Sequence, residues 1–261
     1  MSRIECVIFD WAGTTVDFGS LSPVSAFREA FRSFCVEVTE EETRAPMGML
    51  KIDHIRTMLA MPRVAESWQC VRGHEPTEAD AQAIYERFEP ALMAVLDRHC
   101  DLKPGLIECV NKLRERHIKI GSTTGFTRAM MEVVEPVAKA AGYAPDATLT
   151  ADDVGGLGRP WPYMVFENMK RLGVSSVTRV VKVGDTVSDI KEAIAAGVIP
   201  VGVIEGSSIM GLSRAEWDAL TDEERQACRD EAREAFERAG ARFVINRLDE
   251  LPALIETMEV A

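Results

Sequence analysis

The stretch that most constrains this chain is its beginning, residues 4–17, reading IECVIFDWAGTTVD. Ile4 and Val7 to Phe9 are apolar in the near-continuous manner of a strand buried on both faces, as a central parallel strand is. The run stops at Asp10, and Gly13, Thr14 and Thr15 follow. A carboxylate where an apolar strand ends sits at the carboxyl edge of a sheet, the edge at which open α/β folds place their ligands. Asp10 is therefore a candidate reacting group; the alternative is an aspartate that caps the next helix.

Residues 21–100 carry helical periodicity and no convincing strand. Ser22 and Pro23 suit a cap and first helical position, with Val24, Phe27, Ala30, Phe31 and Phe34 at helical spacing. Thr39 and Glu42 form a capping-box pattern, and Pro46 and Gly48 interrupt the helix that it opens. Helical patterns follow over 50–61, 64–72 and 77–98. From Lys103 the chain alternates: helix 104–116, strand 118–123, helix 127–141, short strand 147–149, helix 162–172, strand 179–183, helix 188–196 and strand 198–204. A charged stretch, 213–238, predicts one solvated amphipathic helix. A strand at 242–245 and a last helix close the chain. This alternation predicts an α/β fold with a doubly wound parallel, Rossmann-like core at 1–20 and 101–261, and an inserted α-helical cap domain at 21–100.

Composition narrows the function. A net charge of −12 opposes a nucleic-acid or anionic-membrane partner, because the surface as a whole repels both. No apolar run is long enough to span a bilayer, and the beginning lacks the basic-then-apolar layout of a secretory signal, so the expected location is the cytoplasm. The six cysteines contain no C-x-x-C pair, which favours free buried thiols over zinc or disulfides.

Three later clusters repeat the feature seen at Asp10. The strand at 118–123 ends in Ser122, Thr123, Thr124 and Gly125, hydroxyls and a glycine suited to an anion's oxygens. Gly158-Arg159-Pro160-Trp161-Pro162 places a cation in a loop, and VVKVGDTVSDIKEA places Asp185 at a strand end with Asp189 one helical turn on. In a parallel sheet all four point to one edge. Each alone is commonly a turn. Phosphoryl transfer wants this set together: fixed donors, a cation, and Mg²⁺ held by hard carboxylate oxygens.

In this order FDWAGTTVD, GSTTG, GRPWP and GDTVSD resemble the four motifs of the haloacid dehalogenase superfamily. The resemblance implies Asp10 as the nucleophile that becomes an aspartyl phosphate, Thr124 as a phosphate ligand, Arg159 as the cation, and Asp185 with Asp189 as the acidic cluster. Phosphatases and mutases of that superfamily carry a second aspartate two residues after the nucleophile to protonate the leaving oxygen. Here that position is Ala12. General acid help is worth about 10²–10⁴ in rate, so either the enzyme is crippled or its leaving group does not need that acid.

The segment RAPMGMLKIDHIR places Lys51 among apolar residues after a glycine turn, with His54 three positions on. Read alone, Lys51 could be a surface lysine over methionines, and His54 a structural histidine bonded to a carbonyl. Together with FDWAGTTVD, however, the segment resembles the phosphonoacetaldehyde hydrolase family, whose matching lysine forms a Schiff base with the substrate aldehyde. The resemblance implies hydrolysis of the carbon–phosphorus bond of phosphonoacetaldehyde to acetaldehyde and phosphate, within phosphonate degradation. It further implies His54 as proton shuttle, and Mg²⁺ bound by Asp10, the Ala12 carbonyl and Asp185, with Asp189 in the first or second shell. Met47, Gly48 and Phe126 would line the pocket, Phe126 where a relative has tyrosine and Ser20 where some have cysteine. A homodimer is also implied; Met58, Leu59 and Met61 or the first insert helix could supply an apolar contact, and a buried face explains them equally well. The alternatives are a Mg-dependent phosphatase or phosphomutase of the same superfamily, which Ala12 opposes, a metal-independent dehalogenase, which Asp185 and Asp189 oppose, and a non-catalytic binding protein on that fold.

Overall fold

A computed structural model describes residues 3–260. Six parallel strands form one sheet: β1 (Cys6–Phe9), β2 (Lys119–Thr123), β3 (Ala147–Leu149), β4 (Val180–Gly184), β5 (Ile199–Val203) and β6 (Phe243–Ile245). Their spatial order is β3-β2-β1-β4-β5-β6, the doubly wound arrangement that the sequence predicts. All residues of β1 are buried, as are those of β4 and β5, which is why these segments read as continuous apolar runs. Phe9 pairs with Ser122 on one side and Val183 on the other, so Asp10, Thr123–Thr124 and Gly184–Asp185 leave the sheet together. The winding reverses between β1 and β4, where such folds open their crevice.

Five α-helices lie within the insert, residues 21–100: α1 (Leu21–Arg32), α2 (Glu40–Arg44), α3 (Lys51–Leu59), α4 (Pro62–Arg72) and α5 (Glu78–Met93). The Thr39–Glu42 capping box forms as expected. The start of α1 differs, because Ser22 and Pro23 lie inside the helix and its first N–H groups are satisfied from further back. The Asp17 carboxylate accepts from Leu21 N at 3.1 Å, Ser22 N at 3.1 Å and Ser22 Oγ at 2.7 Å. Phe34 falls beyond the helix end. Phe27 on α1 stacks on Phe88 of α5 with ring centroids 4.1 Å apart, and on His54 of α3 at 3.8 Å.

The remaining helices are α6 (Leu106–Glu115), α7 (Arg128–Ala140), α8 (Tyr163–Leu172), α9 (Val187–Ala196), α10 (Arg214–Ala219), α11 (Asp222–Ala239) and α12 (Leu251–Val260). The charged stretch is thus two helices rather than one. Ser213 with Glu216 and Thr221 with Glu224 each close a capping box, so the chain restarts at Thr221. That second S/T-x-x-E signal stands in the sequence, masked by the charge pattern around it.

The helical insert sits on the core through polar contacts at its turn before α3. Arg44 donates to the carbonyls of Gly19 (2.9 Å), Gly211 (3.0 Å) and Ser208 (3.4 Å). Ser188 Oγ donates to Met47 O at 3.0 Å, and Gly125 approaches the same turn so closely that a Cβ there would lie 2.5 Å from Met49 O. The two crossings between insert and core run side by side: Asp17 N donates to Asp101 O at 3.2 Å, and Lys103 N to Thr15 O at 2.8 Å. Met58 and Leu59 are buried within the chain, as a buried face requires, and Met61 is half-buried against the same cluster. Among the described residues no helix is long and apolar enough to cross a membrane. Because Phe27 is fully buried between two rings, Phe27→Ala is expected to lower the unfolding free energy by about 3–5 kcal/mol in denaturant titration.

Candidate active site

Asp10 begins where β1 ends and is 4% exposed. Its backbone N–H donates to Val183 O at 3.0 Å, which ties the nucleophile candidate to the neighbouring strand. The chain then turns through Gly13, at φ 86°, and Thr15 Oγ1 donates back to Asp10 O at 3.0 Å. A Cβ at Gly13 would lie 2.0 Å from Asp185 Oδ2, so this turn requires glycine for space as well as for backbone angle.

Arg159 is 2% exposed and reaches into the centre of the edge. Its NH2 donates to Asp10 Oδ1 at 2.7 Å and Thr123 O at 2.8 Å and lies 3.1 Å from Asp189 Oδ1. Its NH1 donates to Gly48 O at 3.3 Å, on the helical insert. The acidic side consists of Asp10, Asp185 and Asp189, whose ligand oxygens lie within 4.8 Å of one another. Burial, then Asp10 and Asp189, push the Asp185 carboxyl well above its usual range, and burial with Asp189 raises Asp10 against the pull of Arg159. Burial also acts on Asp189, but Arg159 and Lys182 outweigh it and hold that group low.

Asp185 accepts from Thr14 Oγ1 at 3.0 Å and Ser208 N at 2.8 Å and has no basic partner within salt-bridge reach among the described residues. Three mutually repelling buried carboxylates, one of them without a cation, fit a hard divalent metal. Asp189 is the most occupied of the three. Thr186 N and Oγ1 donate to its Oδ2, at 3.2 and 2.6 Å, and Lys182 Nζ lies 2.6 Å from its Oδ1.

Lys51 opens α3 and is 3% exposed. Its Nζ lies 4.9 Å from the Phe126 ring centroid and 5.9 Å from that of Phe27. Burial pushes its ammonium down to about 8, and Asp10 opposes that shift only in part. A cavity of about 20 Å³ joins Lys51 to the core, lined by Asp10, Ala12, Met47, Gly48, Thr124 and Phe126 among others. His54 is fully buried behind it. Its Nε2 bonds Thr43 O at 2.8 Å; a carbonyl only accepts, so Nε2 carries the hydrogen and Nδ1, which has no partner, is the free basic nitrogen. Burial, and then Lys51, hold this imidazole well below its usual range, so it is neutral.

The comparisons with known proteins agree with this arrangement. The haloacid dehalogenase-like hydrolase family matches residues 4–197. The phosphonoacetaldehyde hydrolase of Lysinibacillus sphaericus is 52% identical over 256 residues, 98% of this chain and 95% of the relative. The chain belongs to the phosphonoacetaldehyde hydrolase family. The Bacillus cereus (strain AH820) member is 47% identical over 257 residues, covering 98% of this chain and 97% of its own. The crystal structure of a phosphonoacetaldehyde hydrolase like protein from Oleispira antarctica superposes with a TM-score of 0.96 at 39% identity, over 99% of this chain and 94% of that one. Hydrolases of this superfamily generally act with a divalent metal, for which the carboxylate cluster is suited.

Two residues at the heart of the site escaped the sequence reading. Lys182 and Glu192 are both fully buried, and Glu192 Oε2 accepts from Arg159 Nε at 2.9 Å and Thr123 Oγ1 at 2.9 Å. The available signal was a lysine interrupting the apolar run VVKVG. Gly13→Ala is expected to displace Asp185 and weaken divalent-cation binding by about 10–100-fold, read by calorimetric titration with Mg²⁺ or Mn²⁺.

Proposed function

We propose that this chain hydrolyses the carbon–phosphorus bond of phosphonoacetaldehyde to acetaldehyde and phosphate through an imine on Lys51 and an aspartyl phosphate on Asp10. The observation that carries the reading is one small cavity lined by both Lys51 and Asp10, with the amine held between aromatic rings. Relatives named for this activity, nearly half to just over half identical along almost the full chain, support it.

In the proposed sequence the neutral Lys51 amine adds to the aldehyde carbon and water leaves, giving an imine. His54, basic at Nδ1, moves protons for that exchange from the same helix. Protonation of the imine nitrogen makes the C=N group an electron sink whose carbon lies two bonds from phosphorus. The Asp10 carboxylate attacks phosphorus in line, the electron pair of the carbon–phosphorus bond passes toward the iminium, and the two-carbon unit departs as an enamine. Arg159 and Thr124 hold the phosphonate oxygens. Protonation and hydrolysis of the enamine release acetaldehyde and return the Lys51 amine, and water frees phosphate from Asp10. Since the leaving carbon passes its electrons to nitrogen, the general acid absent at Ala12 is not needed.

Mg²⁺ is the proposed metal, held by Asp10, the Ala12 carbonyl and Asp185, and when bound it offsets phosphonate and carboxylate charge. Asp189, engaged by Thr186 and Lys182, supports this set from behind. Met47, Gly48 and Phe126 shape the aldehyde end. The cavity of about 20 Å³ is smaller than a molecule of several heavy atoms, so residues 21–100 act as a cap domain that swings away from the core 1–20 and 101–261 to admit substrate. A cytoplasmic homodimer completes the reading, on kinship with the family alone; a monomeric mass in light scattering counts against the dimer.

Borohydride added with phosphonoacetaldehyde is expected to fix a two-carbon phosphonate adduct on the peptide holding Lys51. Absence of the adduct beside rapid hydrolysis of p-nitrophenyl phosphate would replace this reading with a phosphatase. Lys51→Arg keeps the charge but cannot form the imine and is expected to abolish turnover. Because the free amine is required, kcat/KM is expected to fall about tenfold for each pH unit below about 8 and to level above it.

A further inference from the structure

We infer that Lys182 and Glu192 form a buried pair whose task is to aim Arg159 at the phosphorus-bearing end of the substrate, making both of them positioning residues for the transfer step. The inference rests on the role proposed for Arg159 above.

Four charged groups close a ring behind the nucleophile. Arg159 Nε donates to Glu192 Oε2 at 2.9 Å, Lys182 Nζ lies 3.7 Å from that same oxygen and 2.6 Å from Asp189 Oδ1, and Asp189 Oδ1 lies 3.1 Å from Arg159 NH2. Glu192 Oε2 also accepts from Thr123 Oγ1 at 2.9 Å, and Arg159 NH2 donates to Thr123 O at 2.8 Å. A guanidinium is planar, so fixing Nε from one side and NH2 from another sets its orientation. What the ring leaves is one NH2 edge turned to Asp10 Oδ1 at 2.7 Å, and NH1 turned to Gly48 O.

The placement argues against a purely structural pair. Lys182 sits mid-strand in β4 between Val181 and Val183, and Glu192 sits on α9, both without exposure. Well-packed apolar residues at such places commonly match or exceed the stability of a buried ion pair. Glu192 Oε1 moreover has no hydrogen-bond partner among the described residues, a defect that stability alone does not favour. The carboxylate holds Arg159 without itself meeting the substrate, and Lys182 Nζ, 3.7 Å from Glu192 and 2.6 Å from Asp189, sits between the two acidic side chains and fixes their separation.

The decisive experiment replaces the pair together, Lys182→Met with Glu192→Met, in the full chain. The expected result is an unfolding temperature at or above that of the parent, Lys51 still trapped by borohydride with phosphonoacetaldehyde, and kcat reduced about 10–100-fold with little change in KM. Inhibition by orthovanadate, which probes the phosphoryl site, is expected to weaken by a similar factor. Parental kcat and vanadate inhibition in the folded double variant would overturn the inference. Should that variant not fold, Glu192→Gln decides the matter: reduced kcat with intact trapping supports the role and parental kcat removes it. Arg159→Ala separates the layers. If it abolishes turnover while the pair proves dispensable, only the pair's role falls; if it too turns over at the parental rate, the role of Arg159 falls and the inference with it.

Discussion

The interaction on which the site depends is the contact between one guanidinium and the carboxylate at the end of the first strand. Arg159 NH2 meets Asp10 Oδ1 at 2.7 Å in a buried setting, and around that contact the chain assembles a small society of buried charge. In such surroundings an uncompensated carboxylate is costly, and an ion pair is favourable only when its other bonds are made as well. That requirement explains why the loops after β1, β2 and β4 converge here and why Gly13 and Gly48 come so close to their neighbours. It also sets Asp185 apart as the buried carboxylate that has hydrogen-bond donors but no cation among the described residues, the one that the proposed metal would offset.

The two lobes divide the chemistry by their electrostatics. The core gathers carboxylates and the cations that balance them, an environment for phosphoryl groups. The insert offers an amine between Phe27 and Phe126 with a neutral imidazole stacked on Phe27, an apolar environment in which an ammonium loses its proton readily. A bifunctional substrate, aldehyde at one end and phosphonate at the other, matches that division, because each end needs the setting that the other would spoil.

Much of this was legible in the sequence, for physical reasons that differ by residue. β1 and β4 are buried on both faces, so their apolar runs are unmistakable, and the carboxylates ending them stand out. The helices α3 to α5 follow from their helical periodicity. Asp17 was missed as the cap of α1 because it acts from four and five residues before its partners, outside the usual cap spacing. Lys182 and Glu192 were missed because a charge inside a strand and a glutamate on a helix face take meaning only from what lies across the sheet edge. Periodicity speaks of one element at a time, and the partners of Glu192 lie on the loop before α8 and at the end of β2, those of Lys182 on α9.

The hold of Arg44 on the core has a consequence of another kind. Its guanidinium grips the main-chain oxygens of Gly19, Ser208 and Gly211, and every amino acid possesses such an oxygen. The seam between the lobes is therefore tolerant on one side and exacting on the other. Side chains along the gripped loops are free to drift over generations as long as their backbone path persists, whereas the arginine itself has no ready substitute.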